Sequence, residues 1–406
     1  MFRRLALVGP FGQDRHSRQS GCERTGSVSF CVLRDHNCRY LWVCLNSRLA
    51  EASLVDGIEV WGARTLRQLH TWLRGRGELD GRIDHPAQSP DCAMDLADVV
   101  GQPQARFAVE VAAAGGHNLM MTGPPGVGKT MLAQRLPGLL PALSHTEALE
   151  VTAIHSVAGM LSGQAPLITR PPFVAPHHTS SVAALVGGGS NMARPGAVSR
   201  AHRGVLFLDE FAEITTSALE ALRTPLEDGH IRLARRDGVA TYPCRIQLVL
   251  AANLCPCAPP DPRDCQCGAT ERRRYRSKLS GPLLDRVDLR VEMHTSRAGP
   301  FVDTAEESTS AVRERVWAAR QAARERWRPY GIATNAEAGG TLLRRKFRLG
   351  AEAMTPVRTA VDRGALSIRG MDRTLRVAWS LADLAGRTSP TKQDVATALS
   401  FRQGTH

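Results

Sequence analysis

No run of roughly eighteen uninterrupted apolar residues occurs in this chain of 406, which argues against a membrane-crossing helix. The N-terminus opens with Arg3-Arg4 but has no apolar core of signal-peptide length, so a cytoplasmic protein is expected. Acidic residues are in deficit, 39 against 52 Lys plus Arg, for a formal charge of +13. That balance points to an anionic partner, nucleic acid foremost; the alternative is a solvated basic surface. Arginines are spread throughout and are densest over 313–328 and at Arg344-Arg345-Lys346. Residues 1–45, rich in Arg, Cys and Ser, lack helical or strand periodicity and are expected to be poorly ordered. No serine–lysine protease pair can be assigned, so protease activity is not expected. The length leaves room for two or three domains, each with a sizeable core.

The most informative stretch is Gly123-Pro124-Pro125-Gly126-Val127-Gly128-Lys129-Thr130, a full G-x-x-x-x-G-K-[ST] pattern. The apolar run Leu119 to Thr122 in front of it reads as a buried strand. Met131 to Leu136 behind it reads as a helix ended by Pro137. Strand, loop and helix are the context a phosphate cradle needs: glycines let backbone N–H groups converge on phosphate oxygens, and the helix N-terminus adds positive potential. Lys129 is expected to reach the β- and γ-phosphates and Thr130 to ligate Mg²⁺, with Met131 closing the nucleotide-binding segment. A neighbouring strand is then required to deliver carboxylates. Gly204-Val205-Leu206-Phe207-Leu208-Asp209-Glu210 supplies four apolar residues for a strand buried on both faces, with two acids at its carboxyl end. Asp209 would hold the Mg²⁺ shell and Glu210 would polarise the attacking water. A third strand, Gln247 to Ala252, ends at Asn253, whose amide suits the attacking water or the γ-phosphate; a turn-forming role is its alternative.

Ten cysteines in a chain of this kind indicate reduced thiols or metal ligands before disulfides. Cys255, Cys257, Cys265 and Cys267 follow a C-x-C-x7-C-x-C spacing that fits a structural Zn²⁺ site, although one residue between ligands is tighter than usual. Free thiols and a redox or iron–sulfur role are the alternatives. Residues 228–241 alternate as a hairpin does, with a turn near Asp237-Gly238 and a basic tip at Arg235 and Arg236. Adjacent His177 and His178 would point apart in extended structure, so polar packing is preferred over metal binding. Ser389-Pro390 ahead of Lys392 to Leu399 reads as the N-cap and N1 proline of a last helix.

The order of these segments, completed by Gly281-Pro282-Leu283-Leu284-Asp285-Arg286-Val287-Asp288, resembles an AAA+ ATPase of the magnesium-chelatase-like group. More specifically it is similar to the ComM/YifB family of bacterial DNA-transformation and branch-migration proteins. Ala175 to Ser181, Ala184 to Gly189, Arg194-Pro195-Gly196, Gly204 to Glu210, the Cys-Pro-Cys segment, and Arg274 to Ser277 leading into Gly281 carry the resemblance. It covers about residues 47–402. What it implies is an α/β fold: an AAA+ P-loop ATPase core at 96–295 with pore hairpins and the Cys cluster, then a helical linker and lid over 296–402. Ahead of these would lie a truncated remnant of a Lon-protease-like domain at 46–74 and a linker at 75–95. Only 122 residues precede Gly123, too few for that whole domain, so a truncated or frame-altered N-terminus is expected.

The resemblance further implies ATP and Mg²⁺, and a homo-oligomeric ring, a hexamer, with nucleotide between subunits. Arg286 would be the finger reaching the γ-phosphate of the next subunit; a surface salt bridge to Asp285 or Asp288 is the alternative. Arg369 would be the second sensor, with Arg373 on the same helix face as the alternative. The hairpin tip, Arg235 and Arg236, would face the pore and pair with DNA phosphates. The function implied is an ATP-hydrolysing motor on DNA, a helicase or branch-migration enzyme. A metal-insertion ATPase subunit and a regulatory ATPase acting on a protein client are the alternatives from other classes.

Overall fold

In a computed structural model the chain is described over residues 5–8, 30–34, 40–45, 49–54, 59–81, 94–161, 167–189, 193–235, 238–278, 283–295 and 306–403. They form two compact units, Met1–Pro90 with Ser144–Thr169, and Asp91–Leu143 with Arg170–His406.

The first unit is built on a sheet of β1 (Leu5–Val8), β2 (Phe30–Arg34), β3 (Tyr40–Leu45) and β4 (Glu59–Ala63), in that order. The first two pairings are antiparallel and the last is parallel. Three of these strands lie within 1–45, where no regular structure was expected. Apolar runs of four to six residues are too short to show a period, and pairing defines them. Within 46–74, the segment expected as a domain remnant, lie α1 (Leu49–Ala52) and β4. Thr65 caps α2 (Leu66–Leu73), accepting from Gln68 N at 3.1 Å. Val43, Ala63 and Leu79 bury against Trp61, Leu69, Trp72 and Leu73. Asp80 exchanges backbone hydrogen bonds with Gly62 and accepts from Arg64 Nε at 2.9 Å. The first part of the segment expected as a linker therefore belongs to this sheet, because Leu79 and Asp80 are tied back to it. The helix α5 (His145–Val157), opened by a Ser144/Glu147 capping box, also belongs to this unit.

The second unit holds a wholly parallel sheet in the order β13 (Leu289–Glu292), β5 (Leu119–Thr122), β12 (Gln247–Ala252), β9 (Val205–Leu208), β6 (Phe173–Val174). Every residue of β9 and β12 is buried, as a strand covered on both faces requires. The strand carrying Asp209 and Glu210 is not the neighbour of β5 that chain order suggested: β12 lies between them. Sequence order does not fix spatial order in a sheet built from crossovers, and here the third of the three strands fills the gap left by the first two.

One face of the sheet is covered by α3 (Pro103–Gly115), whose run from Ala108 to Gly115 is buried throughout, and by α4 (Lys129–Leu139). Helix α4 continues past Pro137, correcting the expected stop. A proline in the last turn forfeits a single backbone bond and can be carried there. Between β6 and β9 lie α6 (Val182–Val186), a short pairing of β7 (Gly187–Gly188) with β8 (Arg194–Pro195), and α7 (Ala197–Arg200). After β9 come α8 (Thr216–Ala221), α9 (Arg223–Asp228) and the hairpin of β10 (His230–Arg235) and β11 (Gly238–Pro243). Helix α10 (Ala269–Lys278) follows the cysteines.

The C-terminal helices are α11 (Thr309–Trp327), α12 (Gly340–Arg345), α13 (Thr355–Asp362), α14 (Ile368–Leu384) and α15 (Lys392–Gln403). They share one hydrophobic cluster with β5, α3 and α4. Its bulkiest member, fully buried Trp327, packs edge-on against Phe347 and Trp379, with ring centroids 4.6 and 6.0 Å away. The cap of α15 is Thr391 rather than Ser389: Thr391 N donates to Asp394 Oδ2 at 2.8 Å and Asp394 N donates back to Thr391 Oγ1 at 3.3 Å. That reciprocal pair needs a carboxylate three residues on, which Ser389 does not have. Among the described residues no helix is long and apolar enough to cross a membrane.

Candidate nucleotide site

The turn after β5 is shaped by Gly126 and Gly128, at φ +79° and +96°, where a side chain would be strained. Lys129, 8% exposed, folds back so that its ammonium donates to Gly123 O at 2.7 Å, Pro124 O at 2.8 Å and Asn253 Oδ1 at 3.1 Å. Burial pulls its pKa below the ordinary lysine value, and the charges of Asp209 and Glu210 oppose that pull. Thr130 Oγ1 donates to Asp209 Oδ2 at 2.9 Å, across the intervening β12. A hydroxyl and a carboxylate oxygen brought to one point are hard donors of the kind Mg²⁺ selects, and the site fits that ion.

Glu210 leaves β9 with φ +47°, a left-handed conformation uncommon for a residue with a side chain, and its N–H donates to Asp209 Oδ1 at 2.9 Å. Its carboxylate is 3.1 Å from His178 Nδ1. His177 is bonded instead to Thr179 Oγ1 at 2.8 Å, and the two imidazoles lie 4.1 Å apart. The expectation that these rings diverge is corrected: Ser180 N bonds His177 O at 2.9 Å, so the pair sits in a tight turn and not in extended chain. His178 is the residue sequence reasoning missed here. The signal for it is topological: β6 pairs with β9, so residues leaving one carboxyl end lie beside those leaving the other.

Lys129, Thr130, Asp209, Glu210 and Asn253 are thus assembled at the carboxyl ends of three adjacent strands. The two arginines expected to complete the site are elsewhere. Arg286, in the short 3-10 turn Leu284–Arg286, pairs with Glu227 of α9, and Asn118 Nδ2 donates to its carbonyl at 2.9 Å. The surface bridge to Asp285 or Asp288 considered for it is not what forms. Arg369 is exposed at the start of α14. Arg373, its alternative, is committed to Asp288 at 2.8 Å. Asp288 is 4% exposed and also faces His117 Nδ1 at 3.5 Å, whose Nε2 meets Ser380 Oγ at 2.7 Å. Burial alone would raise the Asp288 carboxyl, but His117 and Arg373 outweigh it and hold the group below the usual carboxylate range. Asn335 extends the network from Ser380 at 3.0 Å to Asp383 at 2.9 Å.

The four cysteines expected to group do so: their Sγ atoms all lie within 4.8 Å of one another, with Cys255 to Cys257 at 3.5 Å and Cys257 to Cys265 at 3.7 Å. Hydrogen bonding from Cys267 draws the Cys257 thiol down to about 7, while burial pushes Cys255 up to about 12. In the hairpin, Arg235 pairs with Gly238; the expected turn near Asp237-Gly238 falls partly on residues 236 and 237, which lie outside the described residues. Arg235 ends β10, and Arg236 lies outside the described residues. Ile231 and Leu233 are buried while Arg232 is exposed, and Val239 stands 66% exposed near the tip. Tyr242 OH donates to Ala193 O at 2.5 Å, and a Cβ at Gly187 would meet Arg194 O at 2.6 Å and the hairpin's Leu233 Cδ1 at 2.9 Å. The β7–β8 segment and the hairpin are therefore packed together.

Residues 95–300 match the family model Magnesium chelatase, subunit ChlI, and residues 306–402 match that of the subunit ChlI C-terminal part. The chain is 76% identical over 355 residues to an uncharacterized protein of Mycobacterium tuberculosis, covering 87% of this chain and 71% of that one. It is 41% identical over 355 residues to the uncharacterized protein YifB of Escherichia coli and 36% identical over 361 residues to competence protein ComM of Haemophilus influenzae. Each of those two alignments covers 87% of this chain and 69% of the relative. With both family models matched in order and the phosphate loop, paired acids and polar strand tip assembled as described, the chain belongs to the ComM/YifB family of magnesium-chelatase-like AAA+ ATPases.

Proposed function

We propose that the protein is an ATP-hydrolysing ring motor that acts on DNA, a helicase or branch-migration enzyme of recombination or natural transformation. The observation that carries hydrolysis is the convergence of Lys129, Thr130, Asp209, Glu210 and Asn253 at the carboxyl ends of three adjacent strands. Lys129 exchanges its loop carbonyls for the β- and γ-phosphates. Thr130 and Asp209 would hold Mg²⁺, which would neutralise phosphate charge. Glu210, released from His178, polarises the attacking water while Asn253 orients it. Arg286 of one subunit serves the nucleotide of the next in a homohexamer, and Arg369 contributes from the lid. The four thiols hold one structural Zn²⁺.

For the polymer, support comes from the charge of +13, from the hairpin that ends at Arg235, and from the relative named for competence. Metal insertion is the second reading, favoured by the magnesium chelatase family model. ATP turnover measured with single-stranded DNA, duplex DNA, or protoporphyrin plus Mg²⁺ separates them. DNA should raise turnover, and Arg235→Ala/Arg236→Ala should remove that rise while leaving basal turnover intact. The same variant should flatten the salt dependence of duplex binding by about 0.9 in log–log slope for each phosphate it no longer neutralises. Stimulation by protoporphyrin alone would favour the chelatase reading, and unchanged DNA binding across the salt series would reject the hairpin as a DNA-binding element.

A further inference from the structure

Asn253 is held from behind by chain that the nucleotide loop does not supply. Its side chain accepts from Lys129, and its main-chain carbonyl accepts from the Tyr275 hydroxyl at 3.2 Å. Tyr275 is 6% exposed and lies on α10, which the chain enters directly from Cys267 and Gly268. From the end of the same helix, Lys278 Nζ donates to Ala212 O at 2.7 Å, in the turn that follows Glu210. One short helix therefore reaches the backbone behind both Asn253 and Glu210.

Little apolar burial holds that helix. Among the described residues between Asn253 and Gly268 the buried ones are Cys255 and Cys267, the first and last of the four clustered cysteines, and Arg272, Arg273 and Arg274 of α10 are exposed. A polar segment of this kind cannot keep its shape by the hydrophobic effect and needs a cross-link. Four metal–thiolate bonds of about 2.3 Å in a tetrahedron set sulfur atoms about 3.8 Å apart. The observed separations of 3.5 and 3.7 Å, within a group spanning 4.8 Å, match that geometry. A disulfide would require about 2.05 Å. An iron–sulfur cluster would spread its cysteines wider, because irons and sulfides sit between them.

We infer that Cys255, Cys257, Cys265 and Cys267 bind one tetrahedral Zn²⁺, and that this site is a brace which, through α10, positions Asn253 and the turn behind Glu210 for hydrolysis. The catalytic half of this inference rests on the ATPase reading; the metal half stands on the thiol geometry alone. The cysteines and Tyr275 are positioning residues, so their loss should lower kcat and spare nucleotide affinity.

Elemental analysis of the purified chain should find one zinc, and Cys265→Ser/Cys267→Ser should lose it. That variant should keep its ATP affinity and lose at least about tenfold in kcat, the scale seen when a supporting partner is removed. Tyr275→Phe should keep the zinc and show a smaller loss in kcat. On the parent protein, a zinc-selective chelator with Mg²⁺ in excess should speed hydrogen exchange over residues 250–255, and added Zn²⁺ but not Mg²⁺ should reverse it. Absence of zinc from the parent overturns the metal site. Zinc present, with parental kcat in both variants, overturns the brace. Should the parent hydrolyse no ATP at all, the ATPase reading fails, and exchange over 250–255 decides the brace by itself.

Discussion

Glu210 carries two constraints at once, a left-handed backbone at φ +47° and a histidine on its carboxylate. A non-glycine residue in that region costs on the order of 1–3 kcal/mol and persists where its surroundings over-determine it. Here the surroundings are the bond to Asp209 and the buried Phe211 and Ala212 just beyond. Glu210→Gln should retain ATP binding, because the phosphate cradle and the Thr130–Asp209 pair are untouched, while hydrolysis falls by about 10²–10⁴-fold. Steady-state turnover beside ATP affinity checks this, and equal turnover in variant and parent would remove Glu210 from the mechanism. The position of this residue at a strand's carboxyl end was legible because Asp209 and Glu210 end an unbroken apolar run. His178 was not legible, since its partner is 32 positions away and only strand pairing brings them together.

Helix α14 is joined to the sheet by ions as well as by oil. Arg373 reaches Asp288 beside β13, and Ser380, two turns further on, meets His117 between α3 and β5. Gly115 must be glycine for this join, because a Cβ there would lie 2.1 Å from the His117 ring and 2.2 Å from Ser380 Oγ. Asp288→Asn leaves Arg373 without its counter-charge, and removing one partner of a buried pair should cost about 3 kcal/mol at neutral pH. The pH dependence follows from the depressed carboxyl. The Asp288 contribution is fully present above the unfolded carboxylate value of about 4 and is lost as pH falls from there toward the folded value. Urea midpoints should therefore separate parent from variant widely at pH 7 and converge as the medium is acidified below about pH 4. A gap that persists unchanged into acid would show that the carboxylate charge is not what matters. The helices themselves were readable from their apolar spacing and caps. Which polar residues on them would find one another was not.

At the scale of the whole molecule, the two halves of the expected site do not meet within one chain. Lys129, Thr130, Asp209, Glu210 and Asn253 are bonded together, whereas Arg286 is engaged with Glu227, Arg369 is exposed at the start of α14, and its alternative Arg373 is engaged with Asp288. A finger that works on a neighbour's nucleotide predicts complementation. Mixing Arg286→Ala subunits with Lys129→Ala subunits, each inactive alone, should restore part of the turnover at interfaces that pair an intact loop with an intact arginine. Size-exclusion chromatography of tagged mixtures establishes that mixed rings form. No recovery in such rings would assign Arg286 to its own chain or to none.

The local grouping of the candidate side chains was legible in the chain itself. The eight-residue loop, the two acids behind four apolar residues and the clustered cysteines each lie in one short segment, so their covalent spacing already limits where their groups can point. Order in space was not settled in that way. Insertion of β12 between β5 and β9, closure of His178 on Glu210 and the inclusion of Leu79 and Asp80 in the first sheet all depend on partners distant in sequence. Burial, hydrogen-bond satisfaction and strand pairing select among such partners only once the whole chain has packed, and the local pattern contains no record of that choice.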